Sequence, residues 1–351
     1  MFDEVIKKIL ESIDGISAIT STYPKFSGEG YRAHRIDARN FHEINDTNSG
    51  KKIAFVDGGN AEIIGSANFS LNLIRVAYVI YSNNKKITAK KLEFFAYIHA
   101  VNEKNEICYK TSFYGLKNSN FLDKPNFLDE ISFSSFDHTL MLGINRAEIS
   151  SVANAVRRFA ELRMAKIISE NNFCDIIVLD GNLQSTITNE NDYLNELYES
   201  CSKNDVVLSA LSKTTSLFTD NGNLLSVVLE NISALLTWFY YPVVDIKNRN
   251  HKAEMFFVKF HKSSKHIFRF EIFNIQKAKA EETINAISSN CVDPIFIGYP
   301  YGLIEADRIA RVSKQEKESL KTMFLIKLKN KNIEKYLSSV NAHEILDKKN
   351  F

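Results

Sequence analysis

The stretch Lys51-Lys52-Ile53-Ala54-Phe55-Val56-Asp57-Gly58-Gly59 decides how the chain is read, because an unbroken apolar run ends abruptly in an acid and two glycines. Such a run reads as a strand passing into a tight turn. A second stretch, Cys174-Asp175-Ile176-Ile177-Val178-Leu179-Asp180-Gly181, repeats the design with a short apolar run suited to a strand buried on both faces. An aspartate at the exit of a buried strand is held rigidly at the sheet's end, and the glycine behind it lets the backbone turn and leaves room for a ligand. Taken alone, either Asp-Gly is accounted for by a plain turn.

The sequence between the two stretches gives them a common frame. Residues 71–81, 92–101 and 107–114 are β-rich, with 83–86 and 102–105 as hairpin turns, so this block predicts an antiparallel meander. From 145 to 169 the period changes: Ile149, Val152, Val156, Phe159, Ala160 and Met164 recur at three- and four-residue steps with Arg157, Arg158 and Arg163 between them, which predicts a long amphipathic helix. Three antiparallel strands, a helix and a strand, in that order, are the order of an RNase H-like domain. That order puts a first carboxylate, Asp57, on strand one, a glutamate on the helix and an aspartate, Asp180, at the end of the fourth strand.

Glu161, nineteen residues before Asp180, suits the helix position. Helical spacing equally allows Glu161 to pair with Arg157 or Arg158 on the helix surface. Glu148 is the competing acid, at the expected first turn of the helix, where a carboxylate often only complements the helix dipole. Converging carboxylates are what Mg2+ and Mn2+ prefer, and phosphodiester hydrolysis gains from ions that bind both attacking and leaving oxygens.

Downstream, the pattern predicts a helix over 193–203, a buried strand over 205–209 and a hairpin of 255–260 with 266–273 about the turn 261–265. A helix over 278–288, a strand over 294–297 and a last helix from 303 into 321 close the chain. Arg308, Arg311, Lys314, Lys317 and Lys321 give that last helix one basic face, which tracks phosphates or is simply solvated, since Glu316 and Glu318 interrupt it. Lys213 follows an apolar strand at a place from which an ammonium neutralises a scissile phosphate or stands in solvent. Tyr299, before Pro300, either positions a metal-bound water, stacks on a base or packs as an amphipathic ring.

Composition narrows the class. With 351 residues, 44% of them hydrophobic, the chain has ample material for a core, and a formal charge of +2 restricts any nucleic-acid surface to a local patch. Cys108, Cys174, Cys201 and Cys291 lie far apart with no metal-ligand spacing, which fits reduced thiols in a cytoplasmic protein. Phe2, Val5, Ile6, Ile9, Leu10 and Ile13 recur as on an amphipathic helix rather than a signal peptide, and packing on the core is the expected role of that helix ahead of docking. The most apolar stretch, 234–244, is too short to span a membrane. The expected architecture is α/β: an RNase H-like mixed sheet flanked by helices over 51–351, with β-hairpin elaborations, preceded by an N-terminal helical extension and polar segment over 1–50.

Five segments in succession carry a family resemblance: Phe-Val-Asp57-Gly58-Gly59, Arg157-Arg158-Phe-Ala-Glu161, Ile-Val-Leu-Asp180-Gly181-Asn182-Leu183, Ser212-Lys213-Thr214, and Gly298-Tyr299-Pro300-Tyr301-Gly-Leu-Ile-Glu-Ala306-Asp307. Together they resemble the successive motifs of the NurA nucleases. The resemblance implies an RNase H-like core and manganese- or magnesium-dependent cleavage of DNA in end processing. It further implies a homodimer and a hexameric HerA-type ATPase as partner. Carried over by position, Asp57, Glu161 and Asp180 are the metal-binding acids, Tyr299 lies beside the site, and Asp307 stands where many members have histidine. His343 is another candidate for that last position. Lys213, Arg308 and Arg311 are the candidate DNA contacts. The rival is a noncatalytic RNase H-like nucleic-acid-binding module, although a module that only binds phosphates has no need of buried acids. A sugar-kinase type phosphotransferase would need a second Gly-rich phosphate loop, which the sequence lacks.

Overall fold

Asn83 and Asn84 both take positive φ, at 50° and 58°, and so do Lys104 and Asn105, at 51° and 67°. Paired left-handed residues make the tight two-residue turns whose twist matches that of the strands they join. The meander expected from sequence follows from them in the computed structural model, which describes residues 1–14, 22–45, 50–115 and 127–328. The chain divides into two compact units.

One unit holds Lys52–Leu179, Ser185–Val206 and the chain from Gly302 onward. Its strands lie in the order Ile176–Asp180, Lys52–Ser66, Phe69–Ser82, Lys85–Glu103, Glu106–Tyr114, Ile131–Ser134. The central strand Lys52–Ser66 runs antiparallel to Phe69–Ser82, from Lys52↔Ser82 to Ser66↔Phe69, and parallel to Ile176–Asp180, from Ile53↔Ile176 to Val56↔Leu179. The sheet is therefore mixed, in the order expected of an RNase H-like core.

The helix Ser151–Glu170 packs on this sheet, burying Val152, Val156, Phe159, Leu162, Met164 and Ile168, with Ala153, Ala155, Ala160 and Ala165 letting its backbone come close. Each fully buried large apolar side chain among them stabilises by about 1.5–3 kcal/mol. The helix starts six residues later than 145. Tyr109 donates to the carbonyl of Ala147 at 2.7 Å and the Ala147 amide bonds to Ser135 at 2.8 Å, which holds the approach out of the helix. Glu148 is therefore exposed and lies outside the helix rather than in its first turn.

Two further helices depart from the sequence reading. The helix expected over 193–203 begins at Glu190, whose carboxylate accepts from the amides of Thr186 (2.8 Å) and Ile187 (3.1 Å) just ahead of it. The single helix expected from 303 into 321 is two, Tyr301–Ala310 and Lys314–Leu328. The buried Arg75 donates to the Arg311 carbonyl at 2.8 Å, and Ser313 Oγ accepts from the Glu316 amide at 3.1 Å, so the chain turns between them. Arg308, Arg311, Lys314, Lys317 and Lys321 do not share one helix face.

The other unit comprises Met1–Lys51, Asp180–Gln184 and Val207–Tyr301. Its main strands are antiparallel in the order Phe41–Glu43, Trp238–Tyr240, Ala253–Lys259, Phe268–Phe273, Val207–Ser212. Trp238, Tyr240, Met255 and Phe257 pack with Leu225 and Leu229 beneath them. The 253–273 hairpin forms where the sequence puts it. The strand expected over 205–209 is displaced to Val207–Ser212, because Asp205 at φ 54° belongs to the preceding turn. Residues 294–297 form no strand: Asp293 accepts from the Ile295 amide at 2.8 Å, and Ile295 is exposed. The helix Phe2–Asp14 exposes Phe2, Val5, Ile6, Ile9 and Leu10, so the packing expected of that face is not observed.

Candidate active-site residues

The strand bearing Asp57 does not end there. Gly58 and Gly59 continue it, opposite Val76 and Arg75, so these glycines do not make the turn that the sequence suggests. They serve close approach. A Cβ on Gly58 would meet Glu161 Oε1 at 2.5 Å and Glu161 Cγ at 2.9 Å, and one on Gly59 would run into the Ala310 carbonyl. Only a residue without a side chain lets the glutamate lie on the strand.

Asp57 and Glu161 are both almost completely buried, at 5% and 3% exposure. Asp57 Oδ1 accepts from the Gly58 amide at 2.7 Å. Glu161 pairs with Arg157, one helical turn away, and stands 3.7 Å from Arg158. Arg158 in turn bonds Glu190 at 2.7 Å. Glu161 thus has the arginine partner that helical spacing allows, and it faces the Asp57 strand rather than solvent. Asp307, on the helix Tyr301–Ala310, pairs with the exposed Arg311 at 2.5 Å.

The register adds to this. Val56 sits opposite Leu179 in parallel pairing, and the next residue on each strand is an aspartate, Asp57 and Asp180. At Asp180 the turn expected of Asp-Gly is present: Gly181 takes φ 108°, its amide bonds to Leu211 at 3.0 Å, and Ser212 Oγ donates to its carbonyl at 2.7 Å. Lys213 Nζ lies 2.6 Å from Asp180 Oδ2 and the hydroxyl of the buried Tyr299 lies 3.4 Å from Oδ1. Tyr299 stacks on Phe296 at 4.9 Å, so its packing role and its approach to Asp180 coexist.

The oxygen donors suit a hard cation by chemistry. Yet Glu161, Asp180 and Asp307 each face a basic side chain, and among the described residues no three His, Cys, Asp or Glu side chains stand together as a ready cation cage. His343 lies outside the described residues.

Sequence reasoning missed one group. Glu271, with no exposure, accepts from the Leu183 amide at 2.8 Å, from Arg269 Nε at 2.6 Å and from His251 Nε2 at 3.0 Å. Burial pushes its pKa up, but the charges of Arg269 and His251 and these hydrogen bonds outweigh burial and bring it down to about 2. Its signal was faint: Arg269-Phe-Glu271 puts both charges on one strand face, and His251 is distant in sequence.

Residues 51–312 match the model of the NurA domain. No curated protein matches the chain in sequence. Among solved structures, the crystal structure of the NurA nuclease from Sulfolobus solfataricus is similar with a TM-score of 0.54 at 15% identity, over 93% of this chain and 96% of that one, which shows a shared fold. Endonuclease V of Ciona intestinalis in complex with inosine-containing DNA (TM-score 0.36, 11% identity, 80% of this chain and 92% of that one) and the catalytic domain of human endonuclease V (0.39, 12%, 78% and 85%) are more distant.

Proposed function

Since the chain belongs to the NurA family, we propose that this nuclease is a divalent-metal-dependent exonuclease that hydrolyses phosphodiester bonds at DNA ends. The observation that carries the reading is that Asp57 and Glu161 are both buried acids, with Gly58, the residue after Asp57, leaving the room in which Glu161 lies. Burying carboxylates is costly unless they are paired or bind a cation. Asp57, Glu161, Asp180 and Asp307 are the residues that would hold Mn2+, or Mg2+ in its place. Such an ion would supply polarisation of phosphoryl oxygens and a lowered pKa for the water that serves as nucleophile.

The chain's own groups have definable tasks. Arg157 holds Glu161 in place, and Lys213 does the same for Asp180. Tyr299 fixes the Asp180 carboxylate through its hydroxyl. Lys213 also supplies the ammonium for the scissile phosphate, and Arg308 and Arg311, both well exposed, supply contacts to the DNA backbone. Family membership further supports end resection in double-strand break repair, a homodimer, a HerA-type hexameric partner and a cytoplasmic location. Among the described residues no helix is long and apolar enough to cross a membrane.

A noncatalytic DNA-binding module is the competing reading, favoured by the basic partners that already neutralise Glu161, Asp180 and Asp307. Asp57→Asn and Asp180→Asn separate the two. Each removes a ligand charge at nearly constant volume, so the loss of cleavage should exceed the roughly 100-fold typical of outer-sphere partners, with folding unchanged. Near-normal turnover in either purified variant removes that residue from the site, and a wild-type protein that binds DNA without cutting it in manganese supports the module.

A further inference from the structure

The unit that carries Asp180 holds a cavity of about 490 Å³, within the size range of small-molecule sites. Its apolar wall is formed by Phe26, Tyr31, Leu217 and Phe218, the first two stacked at 5.2 Å and 10°. Gln184, Asn248, Lys25 and Arg269 also line it; the Asn248 amide is held by the Glu29 carbonyl and the Asn250 amide.

Behind the wall lies a buried polar network. Glu271 holds Arg269 and His251, and His251 Nδ1 stands 3.0 Å from the Tyr31 hydroxyl. His251 bridges the Glu271 carboxylate, at Nε2, and the Tyr31 hydroxyl, at Nδ1. One fully buried carboxylate thus fixes both a cation and an aromatic ring of the cavity. Gln184 is tied to the same network: it forms a β-bridge with His251, and the neighbouring Leu183 amide bonds to Glu271. Gln184 lies four residues beyond Asp180, at most about 14 Å along the chain.

We propose that this cavity is a nucleobase subsite, which takes one unpaired base of the DNA strand against its aromatic wall. The amides of Gln184 and Asn248 meet the base edge, and Lys25 and Arg269 meet the adjoining phosphates. Aromatic faces with amide donors and acceptors are how unstacked bases are held, and flanking cations suit a polyanion. The choice of a DNA base as occupant rests on the nuclease reading, which the test keeps separate.

Binding of two labelled strands of about twelve nucleotides, oligothymidylate and an abasic backbone of equal length, is measured by fluorescence anisotropy with metal removed. Wild type should prefer oligothymidylate by about tenfold, from stacking of one base. Gln184→Ala/Phe218→Ala, and separately Asn248→Ala, replace side chains that are not fully buried and should shrink that preference while the melting temperature stays put. In the double variant KM for the oligonucleotide should rise with kcat retained. Equal binding of both strands by wild type, or an undiminished preference in both variants, overturns the subsite. A base preference that the variants abolish in a protein that cuts nothing upholds the subsite and sinks the nuclease reading instead.

Discussion

Gly58 and Glu161 illustrate how one missing side chain sets an active-site candidate. Gly58→Ala would drive a methyl group into the Glu161 carboxylate, displacing it or bending the strand. Overpacking of this kind costs about 1–3 kcal/mol, visible in denaturant titration, and cleavage should fall further than stability does. Glu161→Gln should be as damaging to cleavage as Asp57→Asn, whereas Glu148→Gln, exposed and outside the helix, should be mild. Exchanged phenotypes would contradict the placement of the helix acid.

Glu271 makes a prediction in pH. Its folded pKa, about 2, lies below the ordinary glutamate value, so the stability it contributes is present above that ordinary value and is lost as pH falls from about 5 toward 2. A shift of that size corresponds to the order of 3 kcal/mol. The stability gap between wild type and Glu271→Gln should therefore be widest near neutrality and narrow across that acid window. A gap independent of pH between 5 and 2 would show that Glu271 titrates normally.

At the scale of elements, the turn between Ala310 and Lys314 hangs on Arg75, which holds the Arg311 carbonyl, Glu316 at 2.6 Å and Glu93. Arg75→Ala should destabilise the protein by about 1–3 kcal/mol, less than for a fully buried ion pair because both acids are more than a third exposed. Hydrogen exchange should quicken within Tyr301–Ala310 and Lys314–Leu328; unchanged protection there would refute the role of Arg75. From sequence this turn is invisible, since nothing in 308–321 breaks helical spacing and the cause lies on a strand more than two hundred residues earlier. The meander was legible because its turns are local, made by Asn-Asn and Lys-Asn pairs. Asp57 and Asp180 were legible as acids at the ends of apolar runs. The continuation of the strand through Gly58 and Gly59 was not, because a glycine placed for close approach looks the same as one placed for a turn.

For the molecule as a whole, a charge of +2 gives little general attraction to DNA, and the sequence carries no P-loop with which to drive motion along it. Slow action on long duplexes is therefore expected of the protein alone, and faster action with a hexameric HerA-type translocase. Co-purification and a nuclease assay check this; full processive activity without the translocase, and no association with it, would refute the dependence.

A cation site that uses both Asp57 and Glu161 for DNA hydrolysis can be looked for by anomalous scattering from manganese-soaked crystals of protein shown to cleave DNA. A manganese peak in contact with oxygens of both carboxylates is expected, with Glu161 released from Arg157, and no such peak in Asp57→Asn. Manganese absent from both acids in an active protein, or bound equally well in Asp57→Asn, would contradict it.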